Sequence, residues 1–195
     1  MADALAGRRV AILAADGVER VELEQPREAL TNAGAQTELL SIHDGEIAAR
    51  NNDLEDAGTF FVDRQVADAS VDDYDALLLP GGTVNPDKLR MDEDAVSFVR
   101  DFFNTGKPVG TICHGPWTLL EAGVVSGRRL TSFPSVRTDL RNAGAEVLDQ
   151  EVVTDDGLVS SRSPDDLPAF CAKIVEEFAE GRHEARVGAV ARGRS

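Results

Sequence analysis

The sequence predicts an α/β domain whose mostly parallel sheet is covered by helices on both faces. Short apolar runs alternate along the chain with segments that have the periodicity of amphipathic helices, and this alternation is typical of parallel sheets. A length of 195 residues with 42% hydrophobic side chains suits one well-filled core. Because no repeat and no long linker divides the chain, we expect one domain over residues 1–181 and a flexible, basic tail over residues 182–195.

The first half of the chain contains three clear strands, one long helix and a weaker region. In chain order, apolar runs and helical spacing predict a strand over Arg8–Ala15, a helix over Val18–Ala33, a strand over Gln36–Ile42 and a strand over Ala76–Pro80. The helix is expected to be interrupted near Pro26 and to end at Gly34. From Glu46 to Val66 the alternation is short and broken, which predicts antiparallel strands at an edge of the sheet.

The second half continues the alternation of helices and strands. In chain order it predicts a helix over Asp92–Asn104, a strand ending at Ile112, a helix ending near Ala122, a short strand over Leu130–Ser132, a helix over Ser135–Ala143, strands over Glu151–Thr154 and Leu158–Ser161, and a helix over Pro164–Glu180. The segment Asp155-Asp156-Gly157 between the last two strands is a strong hairpin signal.

The most informative segment of the chain runs from Pro108 to Trp117. Its apolar run ends at Ile112 and Pro116 suits the first turn of a helix, so Cys113 falls on a tight turn from a strand to a helix. This is the layout of a nucleophile elbow, where unpaired amides and the helix dipole favour a thiolate over a thiol. A lone cysteine is more commonly a small buried apolar residue, but the surrounding pattern favours a nucleophile.

Candidate partners of the cysteine follow two other predicted strands. Ligands of parallel α/β sheets bind at the carboxyl ends of the strands, so these segments should meet. Glu19 could hydrogen-bond the thiol if burial keeps it protonated, or it could be an ordinary acid in the first turn of a helix. Gly81 and Gly82 could direct their amides at an oxyanion, or they could form a plain turn.

A histidine and an aspartate complete the candidate site. His114 is expected on the opposite side of the elbow from Cys113, because neighbouring residues cannot share one strand face. A base in that position would need an acid to orient it. Asp87 is a candidate if it comes from a neighbouring subunit, and otherwise it is expected to cap a short helix over Lys88–Met91.

Composition excludes several classes of function. The net charge of −15 argues against a nucleic-acid partner, because phosphate binding needs a basic surface. There is no apolar run long enough to span a membrane and no signal-peptide pattern in Met1–Arg9, so we expect a cytoplasmic protein with no membrane partner. The two cysteines lack redox or metal-binding spacing, and Cys171 is expected in the core. We expect no metal and no cofactor.

Six segments together resemble one known family. In chain order they are Ala14–Leu23, Asp75–Gly82, Lys107–Pro116, Gly123–Arg128, Asp139–Gly144 and Val159–Arg162. These segments, within a resemblance covering about residues 8–178, are similar to the PfpI-type intracellular peptidases and protein deglycases of the ThiJ/PfpI superfamily. One such motif would be weak, but the same motifs in the same order are highly specific.

The resemblance implies a flavodoxin-like three-layer sandwich with a small antiparallel edge and a reactive Cys113. It also implies that Glu19 is bonded to the sulfur and that His114 pairs with an acid of an adjacent subunit, at the position of Asp87. Members of the family are usually dimers, and some form hexamers from dimers, so a homodimer or a hexamer is expected. One departure from the family pattern is Phe133, which stands where relatives often carry a tyrosine.

A second departure argues against one branch of the fold family. The glutamine-amidotransferase relatives carry a glycine two residues before the cysteine, where this chain has Thr111, and they use a distant His-x-Glu motif. His183-Glu184 does not match that motif. Amidotransferase activity is therefore not expected.

Three functions remain compatible with a reactive cysteine. The leading prediction is an enzyme without a cofactor that acts on reactive carbonyls or early glycation adducts, with Glu19 or His114 moving protons and the amides of Gly82 and His114 holding the oxyanion. The first alternative is a cysteine peptidase that uses Cys113, His114 and Asp87 across a subunit interface. The second alternative is a redox-sensing stress chaperone whose cysteine is oxidised to a sulfinate.

Overall fold

Seven strands form a central sheet, and the computed structural model describes residues 3–182. The strands of the protein are β1 Arg9–Leu13, β2 Val18–Glu19, β3 Gln36–Ser41, β4 Glu46–Asn51, β5 Glu55–Phe61, β6 Arg64–Gln65, β7 Ala76–Leu79, β8 Val109–Ile112, β9 Arg129–Leu130, β10 Glu146–Val147, β11 Val152–Asp155 and β12 Leu158–Ser161. The α-helices are α1 Arg20–Asn32, α2 Val84–Leu89, α3 Glu93–Asn104, α4 Pro116–Glu121, α5 Arg137–Asn142 and α6 Leu167–Glu180. Except for Arg182, the predicted tail lies outside the described residues.

The central sheet has the strand order β11-β12-β8-β7-β1-β3-β6. Every neighbouring pair is parallel except β11 and β12, which form the antiparallel hairpin expected around Asp155-Asp156-Gly157. The three strands whose carboxyl ends carry the candidate site residues, β1, β7 and β8, are neighbours at the centre of the sheet. The predicted meeting of these segments is therefore confirmed.

Both faces of the sheet are buried under helices, as the sequence predicts. Along β1, Val10 and Ile12 enter one apolar cluster and Ala11 and Leu13 enter the other, because successive side chains of a strand point to opposite faces. One cluster contains buried residues of α1 and α6, and the other contains those of α3, α4 and α5. This arrangement is the three-layer α/β sandwich.

The region between Glu46 and Val66 differs in part from its prediction. Strands β4 and β5 are antiparallel, but β4 also pairs with β2, so the three strands form a separate sheet rather than an edge of the central sheet. The central sheet instead ends at β6, which is parallel to β3. The separate sheet is important because the turn between β4 and β5 reaches the candidate site.

Helix α1 starts later than predicted and is not interrupted. The predicted start at Val18 is wrong, because Val18–Glu19 is a short strand and the helix begins at Arg20. Pro26 lies buried within the continuous helix, and Gly34 follows its end in the left-handed region, with φ 98°. Within residues 3–182, no helix is both long and apolar enough to cross a membrane.

Candidate active site

Cys113 lies on a strained turn at the carboxyl end of β8. Its φ of 61° is in the left-handed region, which costs a residue with a side chain about 1–3 kcal/mol. The Cys113 N–H donates to Ser161 O at 3.1 Å, and its carbonyl accepts from the Phe133 N–H at 3.0 Å. Pro116 begins α4, as expected. The fold therefore holds the cysteine in the geometry of a nucleophile elbow.

Two backbone amides are directed at the sulfur. The N–H groups of Gly82 and His114 hydrogen-bond the side chain of Cys113, and both act to lower the pKa of the thiol. The Gly81 amide is not available for this role, because it donates to Glu22 Oε2 at 2.9 Å. The predicted group of amides is thus reduced to Gly82 and His114, with Gly81 holding a carboxyl group.

The carboxyl group next to the thiol is that of Glu22, and the expectation that Glu19 bonds the sulfur is wrong. Glu22, in the first turn of α1, is completely buried and hydrogen-bonded to Cys113. The side chain of Glu19 instead accepts N–H groups from Asn52 at 3.2 Å and Asp53 at 3.4 Å. The difference arises because Glu19 ends the strand β2, so the helix that faces the thiol begins only after it.

Burial controls the protonation of Glu22 and Cys113. Desolvation raises the pKa of Glu22 to about 8, so that its carboxyl group is mostly protonated at neutral pH. Its fully buried Oε1 has no hydrogen-bond partner in the described part of the chain, which also favours the neutral acid. Burial and the nearby Glu22 raise the pKa of the Cys113 thiol, contrary to the lowered pKa that the elbow alone predicts.

His114 lies beside the sulfur rather than on the opposite side of the elbow. Its Nδ1 is 3.2 Å from Cys113 Sγ, and its Nε2 is 3.0 Å from Ser135 Oγ. The left-handed backbone of Cys113 explains the error, because the alternation of faces holds only for an extended strand. The ring is stacked on Phe133 with centroids 4.6 Å apart, and desolvation lowers its pKa, which favours the neutral imidazole.

Asp87 makes no described contact with His114 within one chain. It is exposed on α2, and the short helix begins at Val84, so Asp87 is not the N-cap that the alternative predicts. Its pairing with His114 across a subunit boundary stays a prediction, as does assembly into a dimer or hexamer. Within the same chain, the charge of Asp53 acts on His114. It opposes the larger effect of desolvation and so acts to raise the pKa of the imidazole.

Asn85 is a site residue that sequence reasoning missed. Its side chain is completely buried and accepts the Ala15 N–H at 2.7 Å. Its Nδ2 donates to Pro80 O at 3.0 Å and to Gly81 O at 2.9 Å. Asn85 thereby fixes the loop after β7 to the end of β1. The position after Pro-Gly-Gly was the only local signal, because the bond to Ala15 joins residues 70 positions apart in sequence.

The described residues offer no obvious metal site. Across that part of the chain, no three or more His, Cys, Asp and Glu side chains cluster in a way that could hold a metal ion. The groups gathered at the elbow are a thiol, a neutral imidazole, a protonated carboxyl group and two amide donors.

These features define a flavodoxin-like α/β protein with a cysteine at a strand-to-helix elbow. The chain belongs to the DJ-1/PfpI family, whose model matches residues 8–177. It is 42% identical over 164 residues to Protein/nucleic acid deglycase 2 of Escherichia coli, covering 84% of this chain and 93% of that protein. It is 40% identical to Deglycase PfpI of Pyrococcus furiosus, covering 86% of this chain and 98% of that one. The solved structure of DJ-1beta from Drosophila melanogaster matches with a TM-score of 0.78 and 29% identity, covering 88% of this chain and 90% of that one.

Proposed function

We propose that this protein is a cysteine-dependent deglycase, an enzyme that removes early adducts of reactive carbonyls such as methylglyoxal. The observation that carries the proposal is the position of Cys113 Sγ, 3.2 Å from His114 Nδ1 and bonded by the amides of Gly82 and His114. The relatives named deglycases, at about 40% identity, support the same activity. The peptidase and chaperone alternatives have no comparable support.

His114 is the base that accepts the thiol proton. When the imidazole is neutral and Nε2–H donates to Ser135 Oγ, Nδ1 is left unprotonated and faces the sulfur. The proton of the thiol passes to Nδ1 as the sulfur attacks. The thiolate that develops is stabilised by the Gly82 amide and by the O–H of protonated Glu22, so the raised pKa of the resting thiol does not prevent reaction.

The carbon chemistry is an internal oxidation and reduction with no external oxidant. In an early glycation adduct, the sulfur of Cys113 bonds to the former aldehyde carbon, the carbon–nitrogen bond breaks, and the amine leaves with a proton. In the hemithioacetal that results, a proton moves from that carbon to the neighbouring ketone carbon through an enediol, which gives the thioester of lactate. Water then cleaves the carbon–sulfur bond, and lactate and the free thiol are released. The Gly82 and His114 amides hold the oxygen that becomes negative.

The test compares Cys113→Ala with Cys171→Ala. Cys171, on α6, is the other free cysteine and has no role in the site, so its variant is a matched control. Cys113→Ala should abolish both the conversion of methylglyoxal to lactate and the release of free amine from a peptide briefly treated with methylglyoxal. Cys171→Ala should retain both activities. Undiminished turnover by Cys113→Ala would overturn the proposal.

A further inference from the structure

The turn between β4 and β5 is held by the carboxylate of Glu19, which lies outside this hairpin. Asn52 and Asp53 both have left-handed backbones, with φ of 51° and 64°. Two successive residues in this region cost energy unless their surroundings fix them. Glu19 does so, because its Oε1 accepts the Asn52 N–H and its Oε2 accepts the Asp53 N–H, at 3.2 and 3.4 Å.

The turn places the side chain of Asp53 against the loop that contains Gly82. Asp53 Oδ1 accepts the Thr83 N–H at 2.6 Å, and Oδ2 accepts the Thr83 hydroxyl at 2.8 Å. Thr83 directly follows Gly82, whose φ is 80°. A side chain at Gly82 would lie only 2.5 Å from Gly17 O and 2.7 Å from Glu19 N, so the glycine is required there.

The Gly82 N–H points in the direction set by the peptide that joins residues 81 and 82. Because a glycine restricts the torsions at its Cα only weakly, movement of the next peptide can be passed back to this one unless that peptide is held as well. The carbonyl of Gly81, which shares a peptide with the Gly82 N–H, accepts from the Glu19 N–H at 3.3 Å and from Asn85 Nδ2 at 2.9 Å. The peptide on the other side, which contains the Thr83 N–H, is held by Asp53. The peptides on both sides of Gly82 are therefore fixed. Glu19 contributes to one through its backbone N–H and to the other through its side chain, which holds the turn that carries Asp53.

We propose that Glu19 and Asp53 are positioning residues, which act through Thr83 to aim the Gly82 amide at the sulfur of Cys113. Glu19 fixes the conformation of the turn, and the turn fixes the position of Asp53. Asp53 in turn holds the loop that contains the Gly82 amide. The carboxylate of Asp53 also places a negative charge near His114, which favours the imidazolium formed when that ring takes the thiol proton. This proposal concerns the same site as the proposed function, and its predictions for kcat and KM rest on that function.

The experiment measures thiol reactivity directly, because this readout does not depend on the identity of the substrate. In a Cys171→Ala background, the rate of Cys113 alkylation by iodoacetamide is followed from pH 5 to 10, together with kcat and KM for methylglyoxal and the melting temperature. The test variants are Glu19→Ala, Asp53→Ala and Thr83→Val. Thr83→Ser keeps the hydroxyl, and Asp56→Ala is a matched control on β5, where the carboxylate is 79% exposed and pairs only with Arg50 among the described contacts.

Asp53→Ala and Glu19→Ala should lower kcat about tenfold with little change in KM, because a misaimed donor weakens stabilisation of the transition state. At each pH the alkylation of Cys113 should be slower than in the parent, because the thiolate is less well stabilised, although losing a nearby carboxylate would by charge alone have the opposite effect. Thr83→Val, which removes one of the two bonds to Asp53, should give a smaller change in the same direction, and Thr83→Ser and Asp56→Ala should match the parent.

Several outcomes separate the possibilities. A lower melting temperature with an unchanged alkylation profile would overturn the proposal and leave only a structural role for these residues. If the two alanine variants do not fold, the pair Thr83→Val and Thr83→Ser decides by the same criterion. If the variants are alkylated more slowly than the parent, but the parent itself does not convert methylglyoxal, the positioning role is supported and the proposed function is refuted.

Discussion

Glu22 Oε2 accepts the Gly81 N–H at 2.9 Å, and the same carboxyl group is hydrogen-bonded to Cys113. The contact is possible only because residue 81 has no side chain. A Cβ at Gly81 would collide with Glu22 Oε2 and would lie 2.7 Å from the Cβ of Cys113. The glycine that suggested an oxyanion donor thus serves to bring an acid to the thiol.

Gly81→Ala should therefore damage the site. Gly81 does not have a positive φ, so the loss comes from crowding of Glu22 and Cys113 rather than from the backbone. We expect turnover of methylglyoxal to fall at least about 100-fold, as when reacting groups move by about 1 Å. Gly127→Ala is the control, because its φ of 74° imposes a backbone cost while no atom lies within 4 Å of the added Cβ. That variant should lose about 1–2 kcal/mol of stability and keep its activity. Equal activities of the two variants would contradict the crowding argument.

Glu22 should make stability depend on pH in a defined direction. Burial raises its pKa from 4.5 to about 8, so between these values the folded protein holds a proton that the unfolded chain has released. The contribution of this group is fully present below pH 4.5 and is lost as the pH rises through 8. Relative to Glu22→Gln, the free energy of unfolding of the parent should fall from pH 5 to 8 by up to about 1.4 kcal/mol per pH unit. Urea unfolding at several pH values measures this, with exposed Glu24→Gln on the same helix as control. Parallel curves for parent and Glu22→Gln would mean that Glu22 is already ionised in the fold.

Ser135 should select the tautomer of His114. Its Oγ lies 3.0 Å from Nε2, and a hydrogen bond donated by Nε2–H leaves Nδ1 free to accept the thiol proton. Ser135→Ala should lower kcat about tenfold, within the range of general base catalysis, and Ser135→Thr should restore it. Nitrogen NMR of the His114 ring should detect a loss of the Nε2–H tautomer in the alanine variant. An unchanged tautomer together with unchanged kcat would eliminate Ser135 from the mechanism.

Asn85 should be one of the most sensitive positions for stability. Asn85→Ala leaves the Ala15 N–H and the Pro80 carbonyl without their buried partner, at about 1–3 kcal/mol for each group left unpaired, while the Gly81 carbonyl keeps the Glu19 N–H. Asn85→Asp should cost more, because it places a carboxylate against two carbonyl oxygens. Asn104→Asp, exposed at the end of α3, is the control and should change stability by less than about 1 kcal/mol, the cost of a carboxylate at a helix C-terminus. Chemical denaturation measures all three, and a smaller loss for Asn85→Asp than for Asn85→Ala would show that the contacts have been misassigned.

The central features of the fold could be predicted from local sequence patterns. The apolar run before Cys113 and the proline after it fix a strand-to-helix turn, and both are properties of neighbouring residues. The hairpin around Gly157 is also encoded locally, because only a few residues adopt its positive φ values easily. The central sheet follows from the alternation of such elements.

The partner of the thiol could not be predicted with the same certainty. A two-residue strand before α1 shifts the first turn of the helix, and this shift decides that Glu22 rather than Glu19 faces the sulfur. The pairing of that strand with β4 is a long-range contact without a local signal. The role of Asp53 is hidden for the same reason, since it depends on a hairpin folding against a distant loop. The position of His114 was missed because left-handed backbone at a non-glycine residue is uncommon.

The elbow at Cys113 is bonded to Ser161 and Phe133, while its thiol meets groups from α1 and from the loop after β7. These segments come from both ends of the described chain, so the environment of the thiol is assembled only when the last hairpin has docked. Contacts of such long range form late and slowly in folding. A chain that has only begun to fold would present Cys113 as an ordinary exposed thiol. The alkylation rate of this one side chain, followed during refolding, can therefore report when folding is complete.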